Sequence, residues 1–244
     1  MGGDWAAGES ARMAGQSQGE QRTMFKHAEL PGDAWIDYAP GWIEPEQGRD
    51  LLQRLIDELP WEQRPINAFG KEVMQPRLIA WAGSLPYRYS GQTLEPRPLE
   101  GVLQELTSAV SEAVGAPFNH VLGNRYRDGR DHMGWHADDE RELGRNPVIA
   151  ALSLGVRRKF VLHRKRNKRQ KRHYELAHGS LLVMGGACQH TWRHAVPKMG
   201  AVQGERINLT FRLLKGPPGW REPIPEGTPG PRRHGDRRDE SVDT

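Results

Sequence analysis

The chain has 244 residues, enough for one substantial core or at most two small ones. Its single cysteine, Cys188, excludes an internal disulfide and fits a reducing compartment. The net charge of +4 is concentrated: the sixteen residues from Arg157 to Arg172 hold ten Lys or Arg and no acid, so the remainder is acidic. Such a local basic run faces polyanions, nucleic acid first among them. No apolar run approaches the roughly 18 residues that span a bilayer. The start, MGGDWAAGES, lacks a secretory pattern, and Ala6 stands where N-myristoylation wants Ser or Thr. These features predict a soluble intracellular protein of the cytoplasm, nucleoid or nucleus, with no membrane partner.

Residues 1–25, rich in Gly, Ala, Ser and Gln, read as a disordered leader. A short strand is expected from Ala34 to Pro40. From Glu44 to Leu59, Leu51, Leu52, Leu55, Ile56 and Leu59 recur at helical spacing, and Pro60 ends the helix. The stretch 61–91 mixes aromatics, prolines and cations in Phe69-Gly70-Lys71, Pro76-Arg77 and Tyr87-Arg88-Tyr89. Aromatics among cations suit base stacking, and a small hairpin subdomain is the plainer reading. A second helix is expected from Leu99 to Val114.

Beyond Pro117 the texture becomes short strands and turns: 120–126, 147–156, 159–163, 174–176, 179–184, 189–196 and 206–213. Closely spaced short strands predict a sandwich, barrel or jelly roll, and the basic run falls at a hairpin tip. Residues 215–244, dominated by Pro, Gly and Arg, read as a disordered tail.

Several strands offer inward polar pairs. In RINLTFR, residues 206–212, Ile207, Leu209 and Phe211 take one face while Arg206, Asn208, Thr210 and Arg212 take the other. Two fixed cations separated by an amide and a hydroxyl fit a small dianion. His136 and Asp138 share a face at i and i+2, as do Asn124 and Tyr126. A metal site with open positions needs a third ligand, and His178, His190 and His194 are candidates; spacing does not separate His190 from His194. So many inward polar groups cost stability unless a metal and an anion satisfy them. The sequon Asn208-Leu209-Thr210 is read as fortuitous on an inward face.

The stretches NRYRDGRDHMGWHADDERELG, AHGSLLVM, TWRHAVP and RINLTFR resemble the AlkB family of Fe(II)- and 2-oxoglutarate-dependent DNA-repair dioxygenases, closest to its homologue 2 and 3 branch. The resemblance runs from about Trp61 to Leu213. It implies a mainly β fold with flanking helices: a double-stranded β-helix (jelly roll) at 120–214 within a 26–214 domain, carrying a nucleotide-recognition lid at 61–91. It implies His136, Asp138 and His194 as iron ligands, with dioxygen as co-substrate. It assigns 2-oxoglutarate to Asn124, Tyr126, Arg206, Asn208, Thr210 and Arg212. Tyr87, Tyr89, Asp139 and Glu140 would meet the base, and Phe69 would be a wedge filling the gap left by flipping. Lys71, Arg77, Arg164, Lys165, Arg166, Lys168, Arg169, Lys171 and Arg172 would contact DNA. The implied reaction is removal of methyl groups from 1-methyladenine and 3-methylcytosine as formaldehyde, by a monomer that favours duplex DNA. Single strands, RNA, or a binding module with a vestigial pocket are the alternatives.

Overall fold

The computed structural model describes residues 24–68, 71–89 and 91–216. Phe69, the Lys71 side chain and nearly all of the two expected disordered termini lie outside the described residues. In chain order the elements begin with β1 (Lys26–Leu30), β2 (Ala34–Ala39), α1 (Pro45–Glu58), β3 (Pro65–Ala68), β4 (Lys71–Met74) and β5 (Leu78–Gly83). Next come β6 (Tyr87–Tyr89), β7 (Gln92–Leu94), α2 (Gly101–Val114), β8 (His120–Tyr126), β9 (Met133–His136) and β10 (Ile149–Gly155). The chain closes with β11 (Arg158–Arg164), β12 (Lys171–Leu176), β13 (Ser180–Gly186), a one-turn α3 (Cys188–Thr191), β14 (Trp192–Val196) and β15 (Arg206–Arg212).

Two antiparallel sheets form the body. The larger runs β1-β2-β13-β10-β15-β8-β5 and the smaller β12-β11-β14-β9. This is the expected double-stranded β-helix with flanking helices. Both helices cover the outer face of the larger sheet, where Leu51, Leu55, Leu103, Leu106 and Val110 pack with Leu152, Leu209 and Phe211. The helical spacing of the leucines makes this possible, because one stripe of each helix meets a sheet face made apolar by alternation. The other core cluster lies between the sheets and includes Tyr126, Ile149, Phe160, Leu162, Leu182, Met184 and Trp192.

Two expectations change. The larger sheet extends outside 120–214: β1 and β2 add one edge, and β5, drawn from the expected lid, pairs with β8 on the other. The apolar run LIAWAG is buried nearly throughout, so its Trp81 is core rather than lid surface. The strand expected from Gln189 begins only at Trp192. Before it, the Thr191 N–H and hydroxyl both bond the Ala187 carbonyl, at 2.9 and 2.7 Å, closing a helical turn. His190 and His194 therefore do not share a strand face; His190 is exposed and His194 buried.

Gly155 ends β10 opposite Arg206 with φ at +89°, and a Cβ there would meet the Glu205 carbonyl oxygen at 2.2 Å. Gly155→Ala will destabilise the fold by roughly 1–3 kcal/mol through strain at this backbone crossing. Urea titration of both proteins will read it as a lower midpoint with an unchanged slope.

Candidate active site

The RINLTFR strand is buried along its whole length, including its polar face. Arg206 is 1% exposed and Arg212 2% exposed. β15 pairs with β8 so that Arg206 lies opposite Tyr126 and Asn208 opposite Asn124. The Arg206 guanidinium donates through Nη2 to Ser153 Oγ at 2.9 Å and Asn208 Oδ1 at 3.0 Å. Among the described residues its Nε and Nη1 are buried without a well-aligned acceptor, as are those of Arg212, and the Tyr126 hydroxyl lies beside the Arg206 guanidinium. Burial pulls the Arg206 pKa down to about 10, still far above neutrality. Buried donors without acceptors cost free energy, and a bound anion relieves that cost.

On the facing wall, His136 on β9 lies opposite His194 on β14, with ring centroids 4.2 Å apart. Ligand atoms of His136, Asp138 and His194 all fall within 4.8 Å of one another. Asp138 Oδ2 accepts from Arg212 Nη2 at 3.0 Å, while Oδ1 turns toward His136 Nε2 at 3.8 Å. The His136 Nδ1 lies 2.9 Å from the Gly134 carbonyl oxygen. A carbonyl only accepts, so Nδ1 carries the proton and Nε2 presents its lone pair to the site. Burial, reinforced by neighbouring His136, lowers His194 to about 3; burial lowers His136 as well. Burial alone would raise the Asp138 carboxyl, but the Arg212 guanidinium together with His136 and His194 overrides it and holds it at about 2. At neutral pH the set is two neutral imidazoles and one carboxylate, which is the donor chemistry of a ferrous site with open positions. The residues fit the metal.

Both walls line one pocket. Asn124, Tyr126, Asn208, Thr210 and Arg212 stand on one side, and His136, Asp138 and His194 on the other. Met133, Phe160, Leu176, Leu182 and Met184 supply an apolar lining. The lining holds the Asp138 carboxylate and the Arg212 guanidinium, and the buried Arg206 guanidinium joins it through Asn208, so the site is electropositive before a metal arrives and suits a dianion.

The remaining candidates separate clearly. His178 is structural: its Nδ1 accepts from the Gly155 N–H at 2.8 Å and its Nε2 reaches the Pro45 carbonyl at 3.1 Å. Arg77, expected on the DNA surface, is 4% exposed and donates to Asn124 Oδ1 at 2.7 Å and to the Tyr89 hydroxyl. It ties β6 to β8 from inside the protein and is not on the surface where it was expected. Lys165 also turns inward, its ammonium held by Asp139 Oδ2 and the Gln189 carbonyl, each at 2.9 Å. Arg164 donates to Gln170 Oε1 at 3.2 Å, bracing its own hairpin. Arg166, Lys168, Arg169, Lys171 and Arg172 are exposed.

Tyr87 and Tyr89 are buried side by side, with Tyr87 also packed against His120 at 4.9 Å. The Tyr89 hydroxyl reaches Met133 Sδ, a pocket residue, at 3.8 Å. Glu140 is half-buried, and burial followed by the Asp138 charge pushes its carboxyl up to about 7. Asp139 is exposed and outside the pocket lining.

Three further residues bear on the site without standing out in the sequence. Ser153 orients Arg206, and its position as the lone polar residue inside an apolar strand was the available signal. Gln189, fully buried, accepts the Asp138 N–H at 3.0 Å and so fixes the backbone of the carboxylate ligand. Arg158 is fully buried and donates to the carbonyls of Asp128, Asp131 and Pro197, holding the loop behind Tyr126.

A jelly roll enclosing two imidazoles, one carboxylate and an anion-ready arginine wall defines an iron- and 2-oxo-acid-dependent oxygenase. The chain belongs to the 2OG-Fe(II) oxygenase superfamily, whose pattern matches residues 36–212. Within it, the chain is 41% identical over 200 residues to the alpha-ketoglutarate-dependent dioxygenase alkB homolog 3 of Rattus norvegicus, covering 78% of this chain and 65% of that protein. It is 44% identical over 219 residues to the DNA oxidative demethylase ALKBH2 of Mus musculus, covering 85% of this chain and 91% of that protein. This chain therefore spans slightly less than two thirds of the rat relative and nearly all of the mouse one. The solved structure of OsALKBH1 shares the fold, with a TM-score of 0.54 and 16% identity, covering 76% of this chain and all of that one.

Proposed function

We propose that this chain removes methyl groups oxidatively from alkylated nucleobases, 1-methyladenine and 3-methylcytosine in DNA, with duplex favoured. The reading is carried by one observation: Asn208, Thr210 and Arg212 of the buried β15 face line the same pocket as the His136/Asp138/His194 set, and Asn208 links Arg206 to it. When bound there, ferrous iron supplies oxidation of an N-methyl group by dioxygen, coupled to decarboxylation of 2-oxoglutarate to succinate; the hydroxymethyl product sheds formaldehyde. The protein's own work is positioning and exclusion of water.

Arg206 grips the distal carboxylate of 2-oxoglutarate through Nε and Nη1, the two donors left over from Ser153 and Asn208. Because Arg77 occupies the Asn124 oxygen, the Asn124 amide turns its NH₂ toward the anion. Tyr126, Asn208 and Thr210 add hydroxyl and amide contacts, and Arg212 stands at the metal end through Asp138. The methionines and leucines of the pocket keep the site dry. Tyr87, Tyr89 and Glu140 receive the extruded base, with Asp139 at the rim and Phe69 as the wedge. Extrusion is required because the methyl carbon inside a duplex is out of reach.

The hairpin between β11 and β12 holds the phosphate backbone. Replacing Arg166, Lys168, Arg169, Lys171 and Arg172 with glutamine will weaken DNA binding evenly across sequences. It will also reduce the salt slope by about 1 for each phosphate no longer held. Affinity measured from low to moderate salt checks this; an unchanged slope removes the hairpin from the DNA interface. Substrate choice is tested by formaldehyde release from methylated duplex DNA, single-stranded DNA and RNA. The duplex is expected to lead, and a leading RNA substrate would reverse the assignment.

A further inference from the structure

β9 carries the pocket on one face and a different surface on the other. Met133 and His136 both line the pocket although three residues apart, which alternation alone forbids. The register between β14 and β9 shifts between His194 and Val196, and this bulge turns both side chains inward. Trp135 is thereby turned out, and at 46% exposure it is one of four large exposed hydrophobic residues among the described residues. Its indole sits on the His163 ring with centroids 4.3 Å apart. His163 is itself anchored, its Nδ1 lying 3.1 Å from the Arg164 carbonyl oxygen.

The outer face of the smaller sheet continues from there. His163 lies opposite Lys171 on one side and Arg193 on the other, so cation, imidazole and cation form one row across three strands. Lys171 and Arg193 are exposed, and among the described residues neither takes an ion pair. In the next row lies His173, Glu175 sits opposite Lys159 at the far end, and the exposed Asp139 is taken up by Lys165. A braced, half-exposed tryptophan beside a row of unneutralised cations is the composition of a single-strand nucleic-acid platform: stacking takes the base and the cations take the phosphates. A protein partner with an acidic surface would satisfy the cations but leaves no role for a lone indole already braced from behind.

We infer that the outer face of the smaller sheet is a second nucleic-acid-binding site, on which Trp135 stacks a base flanking the one in the pocket. This rests on the nucleobase reading above. The topology favours it, because β9 is an edge strand. Trp135 and His136 are neighbours in the chain, one on each face of that edge. A polynucleotide with one nucleotide in the pocket has only the width of β9 to cross before its neighbour meets the indole. Extrusion of the reacting base already breaks the local stack, so a flanking base gains a new stacking partner at that moment.

The test uses the full chain with 2-oxoglutarate and manganous ion under nitrogen, and labelled single-stranded oligonucleotides carrying one 3-methylcytosine, from three to twelve nucleotides long. Anisotropy reads the dissociation constant. Trp135→Ala is expected to weaken binding of the long oligonucleotides by about tenfold and to leave the trimer much less affected. Trp135→Phe is expected to recover most of the loss, and Arg193→Glu, on β14 and outside the β11–β12 hairpin, to lose affinity without touching the indole. If Trp135→Ala binds the long oligonucleotides as the wild type does, the indole stacks no base and the outer face is not part of the interface. If the wild type binds no methylated oligonucleotide of any length, the nucleobase reading fails and takes this site with it. A fold defect in Trp135→Ala leaves Arg193→Glu, which changes one exposed side chain outside the hairpin, to decide.

Discussion

Asp138→Asn will abolish coupled turnover of 2-oxoglutarate while leaving a folded chain. In the wild type, Oδ2 accepts from Arg212 and Oδ1 is turned toward the imidazoles. Asparagine keeps the shape but has only one acceptor. If its oxygen stays with Arg212, the NH₂ points where a ligand is required. If its oxygen faces the metal, the NH₂ meets the Arg212 donors. Either way one interaction is lost, and the buried guanidinium loses its counter-charge. Changes to groups that merely support ligands cost about 10–100-fold in metal affinity, so loss of a ligand is expected to cost at least about a hundredfold in succinate formation. Removing one partner of a buried ion pair costs about 3–5 kcal/mol, and the retained amide acceptor places this variant at the low end.

The same substitution changes the acid limb of stability. The folded-state carboxyl, at about 2, lies below its ordinary 3.8 because Arg212, His136 and His194 together outweigh the effect of burial. A depressed carboxyl contributes stability that is present above pH 3.8 and disappears as pH falls through about 2. Thermal unfolding of the metal-free proteins across that window will show a steeper acid loss in the wild type than in Asp138→Asn. Parallel profiles would mean that Arg212 does not hold the carboxylate in the charged form.

Arg206→Lys will raise the KM for 2-oxoglutarate by about tenfold or more, with a smaller change in kcat. The guanidinium spends Nη2 on Ser153 and Asn208, and its Nε and Nη1, without acceptors among the described residues, are the donors proposed for the co-substrate. An ammonium is a single point and cannot serve both sides. A more pointed version compares 2-oxoglutarate with 2-oxobutyrate, which lacks the distal carboxylate. The wild type is expected to discriminate strongly, and Arg206→Met is expected to lose most of that discrimination. Discrimination that persists in Arg206→Met would place the distal carboxylate elsewhere.

Much of this site could be read directly from residues. Alternation in RINLTFR separated a polar face from an apolar one, and the whole strand is buried. Helical spacing predicted both helices within two residues at each boundary, because their leucines meet the sheet in the ordinary way. The third ligand was not legible from spacing. His190 and His194 share a strand face by alternation, and only the helical turn at Cys188–Thr191 separates them. That turn is made by the Ala187 carbonyl, a backbone event with little signature in composition. Arg77 misled for a different reason. Arginine after proline reads as surface, and its burial depends on Asn124 and Tyr89, which approach it only through β5–β8 pairing and the neighbouring hairpin. The bulge in β9 was equally hidden, since MGWH contains no residue that demands one. In each case the deciding factor was an approach between distant parts of the chain, and it set which way a side chain faced.

The central claim is that one pocket joins a ferrous ion, 2-oxoglutarate and a methylated base. The direct measurement supplies the purified chain with ferrous iron, 2-oxoglutarate, dioxygen and an oligonucleotide carrying 3-methylcytosine, and follows formaldehyde and succinate together. The account predicts both products in nearly equal amounts, and neither from His136→Ala. Succinate without formaldehyde from any methylated DNA or RNA would show that the pocket oxidises something other than an N-methyl base. Formation of neither product by the wild-type chain would contradict the iron site itself.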